Sequence, residues 1–179
     1  LVLSFVLFAM ISMGGMWIWS AGLFAFAAAT DFVDGYVARK YQLVTTLGRI
    51  FDPFVDKIII CGSFVFLLGR PESGVNAWMV IAVIGREMFV TGLRSFLEQA
   101  GKDFSAVWLG KIKMVVQCAA VTGCLICLDS GVRASEYSES ILLANTILLW
   151  SCVAITLYSG LSYAWRAFRM LSVAPGDAN

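Results

Sequence analysis

The chain of 179 residues contains no histidine and only three prolines, and charged residues make up just 14% of it. Because prolines are few and no Ser/Pro-rich or charged low-complexity stretch occurs, we find no linker and predict a single domain over residues 1–179. Basic and acidic residues balance at 13 against 12. Without an excess of basic charge, we predict that the protein has no nucleic-acid partner.

Apolar residues take the place of the missing charge. They form 60% of the chain and raise the mean hydropathy to +0.84, which is typical of membrane proteins. Short polar or glycine-containing breaks divide them into six segments, so we predict an all-α, polytopic membrane protein with six transmembrane helices. Short breaks also predict that consecutive helices are antiparallel neighbours. The approximate helix cores are 1–13, 17–38, 49–68, 77–98, 106–128 and 141–165.

The basic residues indicate how such a bundle is oriented. If the break after the second helix is cytoplasmic, most Lys and Arg fall on that side and only Arg70 and Arg133 on the other, as the positive-inside tendency expects. The first apolar run spans about 20 Å as a helix, which is less than the roughly 30 Å hydrocarbon core. We therefore expect further residues upstream of Leu1.

Four aspartates interrupt the apolar pattern within 26 residues: Asp31, Asp34, Asp52 and Asp56. An ionised carboxylate at membrane depth costs at least a few kcal/mol, so these residues need a compensating positive charge. The first pair is spaced i,i+3 and the second i,i+4, so each pair lies on one face of a helix. If the two helices face each other, the four carboxylates converge. Carboxylates in a chain without histidine favour Mg²⁺ or Mn²⁺ over zinc.

Small residues and an arginine accompany the aspartates. Gly35, Ala38 and Gly48 leave room for a ligand to approach the backbone, and Arg39 can offer a planar pair of donors to a phosphate. A structural alternative is that the aspartates are helix-end carboxylates neutralised by nearby basic side chains. Those side chains would be Arg39, Lys40, Arg49 and Lys57.

A second group of charges lies between residues 84 and 117. Arg86 and Arg94 are eight residues apart, nearly on one helix face, and Lys111 and Lys113 open the next helix. Several cations with few acids nearby would form a pocket for a phosphate monoester. The alternatives are an ordinary i,i+4 ion pair between Arg94 and Glu98, and lysines that extend to lipid headgroups.

The aspartate region resembles a known family. Asp31, Asp34, Gly35, Ala38 and Arg39, then eight residues, then Gly48, Asp52 and Asp56 match the signature of the CDP-alcohol phosphotransferases, integral membrane enzymes of phospholipid synthesis. The resemblance implies that Asp31, Asp34, Asp52 and Asp56 bind a metal, with two ions expected, and that Asp56 is the general base. It implies contacts to the CDP moiety from Asp34, Gly35, Ala38, Arg39 and Gly48. Family members tend toward homodimers.

The second region narrows this resemblance. REMFVTGLR, which begins at Arg86, and GKIKMVVQ, which begins at Gly110, are similar to stretches of bacterial phosphatidylglycerophosphate synthases, although Met114 replaces a common threonine. This implies transfer of a phosphatidyl group from CDP-diacylglycerol to sn-glycerol 3-phosphate, with release of CMP. The acceptor phosphate would meet Arg86, Arg94, Lys111 and Lys113.

The same resemblance implies residence in a bacterial inner membrane, with the active site toward the cytoplasm and membrane lipid around the bundle. Two alternatives stay open at this point. One is the same reaction with inositol phosphate, phosphatidylglycerol or serine as acceptor. The other is a divalent-cation transporter, which would explain the carboxylates but leaves the small residues and Arg39 unexplained.

Overall fold

The protein folds into a bundle of α-helices. The structure, a computed structural model, describes the backbone of residues 2–40, 46–99 and 108–172 and the side chains of residues 2–30, 57–99, 110 and 112–172. Within these ranges it contains no strand, which confirms the predicted all-α class. The helices are α1 (Val2–Met13), α2 (Trp17–Lys40), α3 (Thr46–Leu68), α4 (Ala77–Gln99), α5 (Trp108–Cys127), α6 (Ser130–Arg133) and α7 (Ser138–Ser172), with a 3-10 turn at Pro71–Ser73.

The long helices occur where the six apolar segments are, because local signals end them. Gly14 and Gly15 separate α1 from α2 with φ angles of 75° and 81°, a left-handed conformation that glycine adopts without strain. Asn76 begins α4 by accepting a hydrogen bond from the Met79 amide at 3.1 Å. Asp129 caps the short α6 in the same way, through the amides of Gly131 and Val132.

Helix α5 lies at the centre of the bundle and packs against α7, α2 and α3. Helix α4 packs on α7 and α3, so in the described part of the chain it does not have α5 as its main neighbour, although α5 follows it in sequence. Buried apolar side chains from all the long helices form the main core, which includes Leu7, Phe24, Phe64, Val83 and Leu125. A smaller cluster joins α4 to α7 around Leu97 and Tyr163.

Two arginines tie together one end of the bundle. The Arg70 Nη2 group donates to the carbonyl oxygens of Ile11 at 3.0 Å and Ser12 at 2.5 Å, and its guanidinium lies 5.3 Å from the Trp17 ring centroid. Arg133 donates to the carbonyls of Cys127 and Glu72, each at 2.8 Å. The last carbonyls of a helix lack partners within that helix, so both arginines satisfy exposed ends of α1 and α5.

The bundle is apolar on its outside as well as in its core. Several serine and threonine hydroxyls inside it donate to carbonyls of their own helix, as Ser63 does to Ile59 at 2.7 Å, and are thereby satisfied. Large apolar side chains cover the outside. The most exposed of them include Phe5, Trp19, Phe26, Trp78, Met88, Val115, Leu161, Trp165 and Phe168. Such a surface is typical of contact with lipid or with other apolar surfaces.

Only α7, among the described helices, is both long and apolar enough to cross a bilayer by itself. Shorter apolar stretches occupy parts of α1, α2, α3 and α5. The side chains of α2, α3 and α5 are described only in part, over Trp17–Thr30, Lys57–Leu68 and Ile112–Cys127. In α4, whose side chains are all described, Arg86, Glu87 and Arg94 interrupt the apolar pattern. The six helices are therefore present, whereas six membrane crossings stay a prediction.

Gly62 determines how α1 packs on α3. A Cβ atom at this position would overlap the ring of Phe8, which stacks on Phe66 with a centroid separation of 5.0 Å. Gly62→Ala should therefore destabilise the bundle by about 1–3 kcal/mol, as overpacking typically does. Thermal unfolding of the purified protein in detergent measures this. Gly22→Ala is the control, because nothing lies within 4 Å of the added atom there. Equal unfolding temperatures for the two variants would contradict the packing.

Candidate active site

The four aspartates lie on two helices that contact each other, with Asp31 and Asp34 on α2 and Asp52 and Asp56 on α3. At 1.5 Å of rise per residue, Asp34 and Asp52 are each about 9 Å from the ends that the connection joins, and Asp31 and Asp56 about 14 and 15 Å. An antiparallel pair would thus bring the aspartates to matching depths. Their side chains lie outside the described residues, as do those of Gly35, Ala38, Arg39 and Gly48.

A buried cluster of charge joins α4, α5 and α7. Glu87 of α4 accepts hydrogen bonds from Arg86 Nη1, at 3.2 Å, and from Lys113 Nζ of α5. Arg86 Nη2 donates to Ser159 Oγ of α7 at 2.6 Å, and the guanidinium carbon lies 5.6 Å from the centroid of the Tyr163 ring. The side chains of Arg86, Glu87 and Lys113 are only 8–10% exposed. With two cations and one carboxylate, the cluster has a net charge of +1.

Both arginines of this region keep a donor without a partner. The Nε atoms of Arg86 and Arg94 are buried, and within the described residues neither of them forms a hydrogen bond. No salt bridge joins Arg94 to Glu98 in that part of the chain, so the predicted alternative of an ordinary i,i+4 pair is not found there. A buried unpaired N–H costs about 1–3 kcal/mol and calls for an acceptor such as water or an anion.

The structure therefore brings some of the predicted acceptor residues together and not others. Arg86 and Lys113 meet through Glu87, whereas Arg94 is two helical turns, about 12 Å, further along α4. Lys111 is on α5, two positions before Lys113, and positions i and i+2 occupy different faces of a helix. The Lys111 side chain lies outside the described residues.

A pocket of about 560 Å³ lies between α1, α3 and α4. Most of its lining is apolar, and it reaches the surface of the bundle at Val65 and Met88, which are 48% and 71% exposed. Its charged lining residues are Lys57, which directly follows Asp56, and Glu87 of the charge cluster. The pocket thus leads from the apolar outside of the bundle toward both groups of charged residues.

Sequence reasoning missed three members of the charge cluster: Glu87, Ser159 and Tyr163. A signal existed for Glu87, because it directly follows Arg86 inside the motif REMFVTGLR. No local signal marked Ser159 or Tyr163, because serine and tyrosine are unremarkable in an apolar helix. Only packing of α7 on α4 brings them to Arg86, 73 positions away from Ser159 in sequence.

The residues available for a metal fit a hard divalent cation. Among the described side chains, no group of three or more His, Cys, Asp or Glu could hold an ion. The aspartates of α2 and α3 are outside that set. They offer oxygen donors at matching helix depths, in a chain without histidine, and this donor chemistry suits Mg²⁺ or Mn²⁺.

Comparisons with known proteins give consistent matches. A model of the CDP-alcohol phosphatidyltransferase family matches residues 1–158. Several curated relatives carry the name CDP-diacylglycerol–glycerol-3-phosphate 3-phosphatidyltransferase. One from Bacillus subtilis (strain 168) is 37% identical over 151 residues, 82% of this chain and 74% of the relative. One from Rickettsia felis is 35% identical, covering 79% and 74%. One from Yersinia pestis (strain Pestoides F) is 30% identical, covering 80% and 76%.

Glu87 should be essential for the stability of the charge cluster. Glu87→Gln keeps the size of the side chain but leaves Arg86 and Lys113 buried without a counter-charge, which should cost about 3–5 kcal/mol of unfolding free energy. Thermal unfolding in detergent measures the loss. The matched control is Glu98→Gln, an exposed glutamate on the same helix, which should leave the unfolding temperature nearly unchanged. Similar unfolding temperatures for both variants would show that the Glu87 charge is dispensable.

Proposed function

The chain belongs to the CDP-alcohol phosphatidyltransferase family, and from that premise we propose that it transfers the phosphatidyl group of CDP-diacylglycerol to sn-glycerol 3-phosphate. The products are phosphatidylglycerophosphate and CMP. The observation that carries the choice of acceptor is the shared name of the relatives. The net positive, buried charge cluster of α4 and α5 agrees with it, because this acceptor brings a phosphate of its own.

The reaction replaces the phosphoanhydride bond of CDP-diacylglycerol with a phosphoester bond to the acceptor. The acceptor hydroxyl oxygen attacks the phosphorus atom that carries diacylglycerol, and the bond from that phosphorus to the bridging oxygen of the pyrophosphate breaks. CMP leaves with that oxygen and the bond electrons. The hydroxyl proton must pass to a base, and we assign this role to Asp56, as the family resemblance implies.

In this proposal the four aspartates bind cations, and Asp34 and its neighbours bind the CDP moiety. Asp31, Asp34, Asp52 and Asp56 hold divalent cations, which family members generally use; we propose two ions of Mg²⁺ or Mn²⁺. When bound, such ions neutralise the pyrophosphate charge and stabilise the leaving group. Asp34, Gly35, Ala38, Arg39 and Gly48 bind the CDP moiety: Arg39 pairs with a phosphate, and the small residues let the nucleotide approach α2 and α3 closely.

The acceptor and the lipid then approach from different parts of the bundle. Arg86 and Lys113, which meet at Glu87, bind the phosphate of glycerol 3-phosphate, and the unpartnered Nε of Arg86 supplies a buried donor for it. Arg94, which lies two turns along α4 with a second unpartnered Nε, and Lys111 add positive charge along the path of this phosphate. The pocket between α1, α3 and α4 offers an apolar wall for an acyl chain of CDP-diacylglycerol. Acyl chains do not enter the surroundings of the charged residues, so they stay at the apolar wall of the pocket.

The protein is membrane-associated, as its family and its apolar exterior indicate. We propose that it resides in the bacterial inner membrane. Its active site faces the cytoplasm, from which the water-soluble acceptor reaches it. We also propose a homodimer. The basic residues on α2 to α5 support this orientation through the positive-inside tendency.

Acceptor choice tests the proposed function directly. Purified protein receives CDP-diacylglycerol and Mg²⁺ or Mn²⁺, with glycerol 3-phosphate, inositol phosphate, phosphatidylglycerol or serine offered in separate reactions. CMP release should occur with glycerol 3-phosphate and be at least about a hundredfold slower with serine, which brings no phosphate for the buried cations. Faster release with any other acceptor would replace the proposed substrate. CDP-independent cation flux in vesicles, without CMP release, would point to a transporter instead.

Replacing Asp56 or Asp52 should remove catalysis while leaving the fold intact. Asp56→Asn deletes the base and a proposed cation ligand, and Asp52→Asn deletes a ligand, so each should lower CMP release by about a hundredfold or more. Chelation by EDTA should do the same to the wild-type protein, and added Mg²⁺ or Mn²⁺ should restore its rate. Asp129→Asn, a cap of the short α6, is the control expected to retain activity. Near-normal turnover by either active-site variant would contradict the assignment.

A further inference from the structure

We infer that α7 contains positioning residues for the acceptor-binding arginine of α4. Ser159, Gly160 and Tyr163, together called the α7 seat, hold the Arg86 guanidinium in the place from which it binds the acceptor phosphate. The inference rests on the proposed function. It extends that function to α7, a helix that carries none of the site residues predicted from the sequence. The three residues also lie beyond residues 1–158, which the family model matches.

Three independent contacts define the α7 seat. Ser159 Oγ accepts a hydrogen bond of 2.6 Å from Arg86 Nη2, and Ser159 is fully buried. The face of the Tyr163 ring lies 5.6 Å from the guanidinium carbon, within the range of a cation–π contact. Gly160 has no side chain and so leaves room for Arg86, because a Cβ atom there would lie 3.1 Å from Arg86 Cγ.

The α7 seat occupies some donors of Arg86 and leaves another available. Nη1 is bound to Glu87 and Nη2 to Ser159, while Nε is buried and has no partner among the described residues. An arginine side chain otherwise has about 2 kcal/mol of rotamer entropy, which binding of a phosphate would have to overcome. Contacts from α4 and α7 that fix the guanidinium beforehand remove that cost, so preorganisation should appear as acceptor affinity.

Packing of α4 on α7 does not by itself require the hydrogen bond between Arg86 and Ser159. Helices α4 and α7 already share an apolar cluster that contains Val90, Leu97, Tyr163 and Ala167. The buried hydroxyls of Ser20 and Ser63 donate to carbonyls of their own helix, and that of Ser73 donates to the Leu67 carbonyl. Ser159 differs, since its oxygen accepts a charged hydrogen bond from another helix.

Acceptor kinetics test the α7 seat. In Ser159→Ala the KM for glycerol 3-phosphate should rise about ten- to a hundredfold, the range expected for losing a hydrogen bond to a charged group. The value of kcat and the KM for CDP-diacylglycerol should stay within about twofold of wild type, because Arg86 contacts only the acceptor. Ser159→Thr, which restores the hydroxyl, should recover most of the acceptor affinity. Gly160→Ala should raise the same KM by displacing the Arg86 side chain.

Two matched variants serve as controls. Ser63→Ala removes a buried hydroxyl that contacts only its own helix, and Gly22→Ala adds a methyl group into open space, so neither should change the KM for glycerol 3-phosphate. An unchanged acceptor KM in Ser159→Ala would overturn the inference. A fall in kcat at constant KM, or an equal effect of Ser63→Ala, would assign Ser159 a merely structural role and would also overturn it.

The outcomes separate this inference from the proposed function. Wild-type protein that releases CMP with glycerol 3-phosphate, combined with unaffected Ser159 and Gly160 variants, would leave the function standing and refute the α7 seat. Wild-type protein that shows no response to glycerol 3-phosphate would refute both. If Ser159→Ala does not yield folded protein, Gly160→Ala is judged by the same criteria, because it approaches Arg86 from the backbone and leaves the hydroxyl in place.

Discussion

The charged interior of the bundle depends on the ion pairs that the Glu87 carboxylate forms. This carboxylate accepts hydrogen bonds from Arg86 on its own helix and from Lys113 on α5, and Arg86 in turn donates to Ser159 on α7. Two cations without this carboxylate would be buried at a cost of several kcal/mol each. Glu87 thus allows a positively charged cluster to exist inside an apolar bundle. It also connects α4 to α5, which share few other contacts in the described part of the chain.

The two ends of the bundle use charged side chains differently. At the first, Arg70 and Arg133 satisfy the carbonyls that end α1 and α5, and glycines in left-handed conformations turn the chain. The proposed binding residues lie farther along the helices. Asp56 is about 18 Å from the end of α3, and Lys113 about 21 Å from the end of α5. The proposed binding residues are therefore more than three helical turns away from these helix ends.

In the proposed reaction, two pairs of helices contribute side chains of opposite charge. Helices α2 and α3 contribute carboxylates, which suit cations and through them a pyrophosphate, whereas α4 and α5 contribute cations, which suit a phosphate monoester directly. The apolar pocket is lined by Lys57 of α3 and Glu87 of α4 and so reaches both pairs. A lipid substrate and a water-soluble acceptor could then meet without either entering an environment of the wrong polarity. The contacts of α7 with Arg86 add a third helix to the acceptor side.

Local patterns in the sequence determined the helices and the family. The six long helices lie at the six apolar segments, since apolar runs and glycine breaks act over a few residues, and the aspartate motif led to the family that the family model then matched. The number of membrane crossings and the roles of the aspartates stay predictions. Only the tertiary structure decided that α4 packs mainly on α7 and α3, and that Arg86 contacts Ser159 and the Tyr163 ring. These contacts depend on how two distant helices align their side chains, and spacing within either helix carries no information about that alignment.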